Sequence, residues 1–187
     1  MVLDSYQGNI LVSQPKNEDR FFKDSCVLII RHDHRGAWGV AINKPLSNCD
    51  LRDILDHVGL ENTMGINAPV YAGGPLEKSR VCILHSNDWS SASTLEITKD
   101  VSITYDLSIL AAIVGGHGPS KFKVCCGVSA WGPSQLEGEM SGQEPWTSRH
   151  MWLVAPATEE NIFDIDHNVL WSISLTEAVN LEVKEWF

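Results

Sequence analysis

Apolar residues in this chain fall in short runs, and the spacing within each run separates strands from helices. "NILVS" (residues 9–13) has strand length, and "SCVLIIR" (25–31) is apolar without a break, as expected of a central strand covered on both faces. "DHRG" supplies turn formers and a glycine before "AWGVAIN" (37–43), which predicts a hairpin. In that second strand Trp38, Val40 and Ile42 share one face, while Ala37, Gly39, Ala41 and Asn43 share the other. A face of glycine and alanine predicts close approach by neighbouring chain. "PVYA" (69–72), "RVCILHS" (80–86), a hairpin "STLEIT-KD-VSIT" (93–104), "KFKVCCGVSAW" (121–131) and "MWLVAP" (151–156) read as further strands.

Helical spacing appears between them. Residues 47–60 place Leu51, Ile54, Leu55 and Val58 in one stripe, with Ser47 or Asn48 as the expected cap and Gly59 as the stop. Pro45, unable to donate to a ladder, ends the strand before it. Asp106 is expected to cap a helix over 107–114, closed by Gly115 and Gly116. Ser134 followed by Glu137 matches a capping box opening a helix directly behind a strand. Two short helical segments, 158–164 and 167–175, would pack through Ile162, Phe163, Leu170 and Trp171. Runs of strands with helices between them, some joined by hairpins, predict an α+β fold with a mixed sheet. No repeat or linker interrupts 187 residues, so a single domain over 1–187 is expected.

Charge narrows the function classes. Twenty-four acidic against 14 basic residues give a net charge of −10, and the basic residues form no run. Phosphate-gripping surfaces need clustered Lys and Arg, so direct nucleic-acid binding is not expected. Apolar runs are far shorter than the about 20 residues that span a bilayer, and the N-terminus lacks the pattern of a secretory signal. A cytoplasmic location without membrane association is the expectation. Five cysteines without C-x-x-C spacing read as reduced thiols, Cys26, Cys82, Cys125 and Cys126 within strands, and Cys49 at a helix start where a thiolate gains stability.

Several stretches together resemble the YqgE/AlgH family of bacterial proteins. They are "GNILVSQP", "FFKDSCVLIIRH", "GAWGVAINKP", "YAGGP" with "ILHS" after it, "SAW-x-x-x-QLE-x-E", and "IFD" before a late tryptophan. The resemblance runs from residue 8 to about residue 171, in the family's order. It implies a single α+β domain with a mixed, branched, partly barrel-like β-sheet surrounded by helices. It implies no settled activity; members are mostly uncharacterised, and one branch is called a transcriptional regulator. The chain departs from the family pattern at "GVSAW", where glycine-tyrosine-alanine-glycine-tryptophan is usual, and at "GPSQLE", where glycine normally precedes the glutamine.

Complete catalytic motifs are missing. His32 and His34 lack a third ligand nearby and are expected to be turn residues or to bond nearby backbone, so no metal is assigned. Ser129 sits in G-x-S without the final glycine of a nucleophile elbow and reads as a strand-end serine pairing locally. The glutamates of "QLEGE", 137 and 139, are a possible carboxylate pair, with Glu137 already explained by capping. What remains is a candidate ligand or partner site: Asn43, Lys44, Pro45, Gly73, Gly74, Pro75, His85, Trp131, Gln135 and Glu137. The expected function is a regulator of transcriptional type, acting through a protein partner or small ligand, with no cofactor and no catalytic residue assigned. The alternative is a hydrolase- or transferase-like enzyme around Asn43, using Lys44 and Glu137, whose side chains must then converge in one pocket.

Overall fold

The computed structural model describes residues 5–145 and 150–184. Ten strands form one curled, half-barrel mixed sheet: β1 (Asn9–Ser13), β2 (Cys26–Asp33), β3 (Gly36–Ala41), β4 (Pro45–Asp50), β5 (Pro69–Ala72), β6 (Leu76–Ser86), β7 (Leu95–Glu96), β8 (Val101–Thr104), β9 (Phe122–Trp131) and β10 (Trp152–Pro156). Helices α1 (Leu51–Val58), α2 (Ser108–Val114), α3 (Gln135–Ser141) and α4 (His167–Lys184) pack on it, with a π-helical turn over Glu160–Asp164. The fold is α+β, as its pattern of strands and helices predicts. No helix among the described residues is long and apolar enough to cross a membrane.

The sheet runs β10-β1-β2-β3-β9-β6-β8-β7, and β4 and β5 branch from it. β9 is the hub. Its first half has antiparallel β6 on one edge and parallel β5 on the other, through Val70↔Val124 to Ala72↔Cys126. Its last residues pair instead with β3, Ala37 facing Trp131 and Gly39 facing Ser129. The Gly-Gly corner after β5 is where one strand leaves the edge of β9 and the other takes over.

Alternation along β2 sorts its side chains between two cores. Cys26, Leu28 and Ile30 point into the curl with Val40, Ile42, Leu84 and Ile103, closed by Leu170 and Ala178 of α4. Val27 and Ile29 face Tyr6, Trp131, Leu136 and Trp152 under α3. A third cluster lies under α1 and α2, where Leu51, Leu55, Ile109, Leu110 and Ile113 cover Val70, Ile83 and Val124. Each such leucine or isoleucine contributes about 1.5–3 kcal/mol through burial. The small face of β3 is covered as well: Ala37 and Ala41 make room for the Trp131 and Trp152 cluster. At Gly39 the neighbour is β2 itself, since an added Cβ would lie 2.3 Å from the Leu28 carbonyl oxygen.

Three expectations about element ends need correction. Residues 45–50 form β4, so Pro45 begins a strand opposite Tyr71, and helix α1 starts only at Leu51. Its cap is therefore Asp50, not Ser47 or Asn48. Asp50 accepts from the Arg52 N–H, and Asp53 accepts from the Asp50 N–H in return. The terminal segment is an 18-residue helix rather than a short one, and Trp171 Nε1 ties it to β1 by donating to the Ser13 carbonyl at 3.0 Å. Asp106 accepts the N–H of Ser108 at the start of α2, and Gly59 ends α1 in the left-handed conformation.

Candidate functional site

The ten candidate residues separate into three places. Six build the sheet's branch corner. Asn43 Oδ1 accepts from the Cys26 N–H at 2.9 Å and its Nδ2 donates to the Asp24 carbonyl, so the residue locks two chain segments together. The Lys44 carbonyl accepts from Ala72, and its ammonium reaches the Lys23 carbonyl, with burial holding that ammonium below its usual range. Gly73 donates to the Cys126 carbonyl at 2.7 Å, while its own carbonyl accepts from Ala41 N–H and Ser129 Oγ. A Cβ at Gly73 would lie 2.4 Å from the Gly127 oxygen, and one at Gly74 would lie 1.9 Å from the Val128 carbonyl carbon. Pro45 and Pro75 flank this corner and are exposed. Its polar groups are engaged in holding strands together.

His85 stands apart on β6. It is fully buried, its Nδ1 donates to the Ser86 carbonyl at 2.8 Å, and Trp89 meets the ring edge-on at 5.4 Å. Burial pushes its pKa down.

The third place is the α3 corner, which holds Trp131, Gln135 and Glu137. Ser134 has a φ of 61° and makes no side-chain cap bond, so the expected capping box is not formed. Glu137 is therefore free to pair with His32, Nε2 to Oε1 at 3.1 Å. His32 itself is a buried strand residue rather than a turn residue, because β2 continues through Asp33 and pairs His32 with Ala37. Its Nδ1 accepts from the Tyr6 N–H at 3.0 Å and its ring stacks on Tyr6.

Beside that pair, Trp131 and Gln135 line a cleft of about 290 Å³ together with Asn17, Phe22, Glu139 and Trp152. Glu139 organises it. Its Oε2 accepts from the indole N–H of Trp131 at 2.9 Å and of Trp152 at 2.8 Å, and its Oε1 accepts from Gln135 Nε2 at 2.9 Å. Gln135 uses its other end to accept from the Gly132 N–H. Phe22 lies across both indoles, with ring centres 6.2 Å from Trp131 and 5.4 Å from Trp152. Of these groups, sequence alone pointed to Trp131, Gln135 and, as one of two glutamates in "QLEGE", Glu139. Phe22 stands in the family stretch "FFKDSCVLIIRH" without being singled out, and Asn17 and Trp152 carry no motif; loop and β10 bring them here.

Among the described residues no group of three or more His, Cys, Asp or Glu could hold a metal. The cysteines are free thiols. Cys49 is not at a helix start but on β4, and burial, followed by Asp53 and Asp50, pushes its thiol up rather than down. Lys123, unremarked in the sequence, is a buried lysine on β9. Its ammonium donates to the Ile42 carbonyl at 3.0 Å and lies 4.5 Å from the Tyr71 ring centre, and burial lowers its pKa to about 8.

Comparison with known proteins gives a consistent answer. The chain is similar to a UPF0301 protein of Sphingopyxis alaskensis, 35% identical over 173 residues, covering 92% of this chain and 89% of that one. A UPF0301 protein of a Marinomonas species is 33% identical over 162 residues, covering 86% and 82%. Among solved structures, the AlgH protein of Pseudomonas aeruginosa superposes with a TM-score of 0.76 at 27% identity, covering 95% of this chain and 90% of that one. A Corynebacterium diphtheriae protein shares the fold, with a TM-score of 0.67 at 20% identity over 89% and 83% of the two chains. The AlgH-like family model matches residues 10–180, and with nearly the whole sequence accounted for, the chain belongs to that family.

Proposed function

We propose that this protein works by recognition rather than catalysis, as a regulator of transcriptional type that binds a small ligand or partner protein at the α3 cleft. The observation that supports it best is the convergence of Trp131, Gln135 and Glu139, two of them marked in the sequence as candidates, around one concavity. Polar anchors fixed by hydrogen bonds inside an aromatic wall are what a binding site needs before its ligand arrives. The enzyme alternative required Lys44 and Glu137 in one pocket. Lys44 bonds the Lys23 carbonyl and Glu137 bonds His32, a division of partners that favours recognition over that alternative. The net charge of −10 without a basic stripe supports action through a partner rather than on DNA, and fits a cytoplasmic protein.

The test is a thermal-shift screen of cell metabolites and a parallel affinity capture, each run on the wild type and on Gln135→Ala. A saturable ligand or partner that raises the melting temperature of the wild type and is lost in the variant is the expected result. Binding that ignores the variant, or none at all across both screens, overturns the proposal.

A further inference from the structure

We infer that the cleft takes a small organic cation, an ammonium or guanidinium group with an acceptor oxygen close to it. This deepens the recognition proposal and rests on it. A carboxylate has about four lone-pair sites for hydrogen bonds. Two indole N–H groups and one amide fill three of those of Glu139, and all three donors are neutral. One site on Oε1 stays open, and the negative charge has no ion-pair partner among the described residues. Asp19 adds a second carboxylate to the wall, in which no lysine or arginine stands among the described residues. An anion would meet two like charges there, and a neutral ligand would leave both uncompensated.

Asn17 gives independent support. It is 3% exposed and stands in the wall of the cleft. Its Oδ1 accepts from the Asp19 N–H at 2.9 Å, which fixes which end of the amide is which. The Nδ2 group then has no acceptor among the described residues. Buried donors in folded proteins are almost always met, so this one marks a place in the wall where the described residues leave an acceptor wanting. Phe22, half-buried beside the two indoles, offers the aromatic face that attracts a cation. Anion, aromatic face and orphan donor together describe a cation bearing a carbonyl or similar oxygen, and the volume suits a molecule the size of one amino acid.

Such a group could come from a free metabolite or from a basic residue of a protein partner, and the probes separate the two. Nα-acetylargininamide (argininamide below), its neutral isostere Nα-acetylcitrullinamide (citrullinamide below), the anion N-acetylglutamate and an acetylated Gly-Arg-Gly peptide are titrated separately. The indole N–H resonances of Trp131 and Trp152 are followed by ¹⁵N-edited NMR. Argininamide is expected to shift both saturably and to bind about tenfold tighter than citrullinamide. Asp19→Asn, which keeps the carbonyl that caps Phe21 and Phe22, is expected to weaken argininamide about two- to threefold without changing citrullinamide. Tighter binding of the peptide assigns the source to a protein partner, and tighter binding of argininamide to a metabolite. Equal binding of citrullinamide, or preference for the anion, overturns the cation while leaving recognition at the cleft intact. Indole resonances unmoved by any probe overturn the cation outright, and the Gln135→Ala screens then decide the broader proposal separately.

Discussion

His32 and Glu137, 105 residues apart, meet at 3.1 Å and join the end of β2 to helix α3. The Tyr6 N–H donates to Nδ1, so the ring proton must sit on Nε2 and point at the glutamate. With both nitrogens committed, this histidine holds structure; it has no free lone pair to act as a base.

Unequal costs for the two partners follow. His32→Ala removes the bond from the Tyr6 N–H to Nδ1 together with the stacked ring, and is expected to cost about 2–3 kcal/mol. Glu137 is half exposed, and Glu137→Gln keeps an acceptor, so its expected cost is below about 1 kcal/mol. Urea unfolding of both variants checks this, and similar losses in the two would contradict the assignment.

Lys123 makes a pH-dependent prediction. Its ammonium pKa falls from 10.5 to about 8 mainly through burial, so the folded state binds this proton less well than the unfolded chain. The resulting cost is fully present below about pH 8 and fades as pH rises towards 10.5. At about 1.4 kcal/mol per unit it is on the order of 3 kcal/mol, set against about 1–3 for the Ile42 carbonyl that Lys123→Met would orphan. The variant is expected to be about 1 kcal/mol more stable than wild type at pH 7, with that advantage shrinking by pH 9.5. Comparing the pair at each pH limits the contribution of the buried thiols. A difference that does not change with pH would refute it.

Two glycines separate steric from conformational demand. Gly59 has a φ of 73° and open space around a would-be Cβ, so Gly59→Ala is expected to cost about 1–2 kcal/mol. At Gly74 a Cβ would collide with the Val128 backbone, which belongs to the hub strand and cannot yield. Gly74→Ala is expected to cost more than about 3 kcal/mol or to give no folded protein. Thermal unfolding of the two variants reads the contrast directly.

Cys49 is the one cysteine that is only partly buried, and its thiol is pushed up by that burial and by Asp53 and Asp50. Iodoacetamide at pH 7.5 is expected to label it alone in the native protein, more slowly than glutathione, with Asp53→Asn faster by about twofold. Labelling faster than glutathione would restore the reactive-cysteine expectation.

Most strands were legible because they carry their own apolar runs, and the β2–β3 hairpin because its turn chemistry is local; β4 has no such run and was not. Element ends were less so. Nothing local in "PLSNCD" says that β5, some twenty residues on, will pair with it and delay α1 to Leu51. Ser134 and Glu137 have capping-box spacing, but the spacing does not reveal a left-handed φ or a histidine waiting on β2. At the cleft, Trp131, Gln135 and Phe22 stood in family stretches, whereas Asn17 and Trp152 come from a loop and a distant strand. Only tertiary packing selects them from the chain's other asparagines and aromatics.

Because β9 is the shared edge for β3, β5 and β6, synthesis must pass residue 131 before any of the three can find its final neighbour, and β1 waits longer still for β10. A ribosome-bound chain stopped before residue 122 therefore exposes several unmatched edges at once, and chaperones would meet this protein chiefly in that interval.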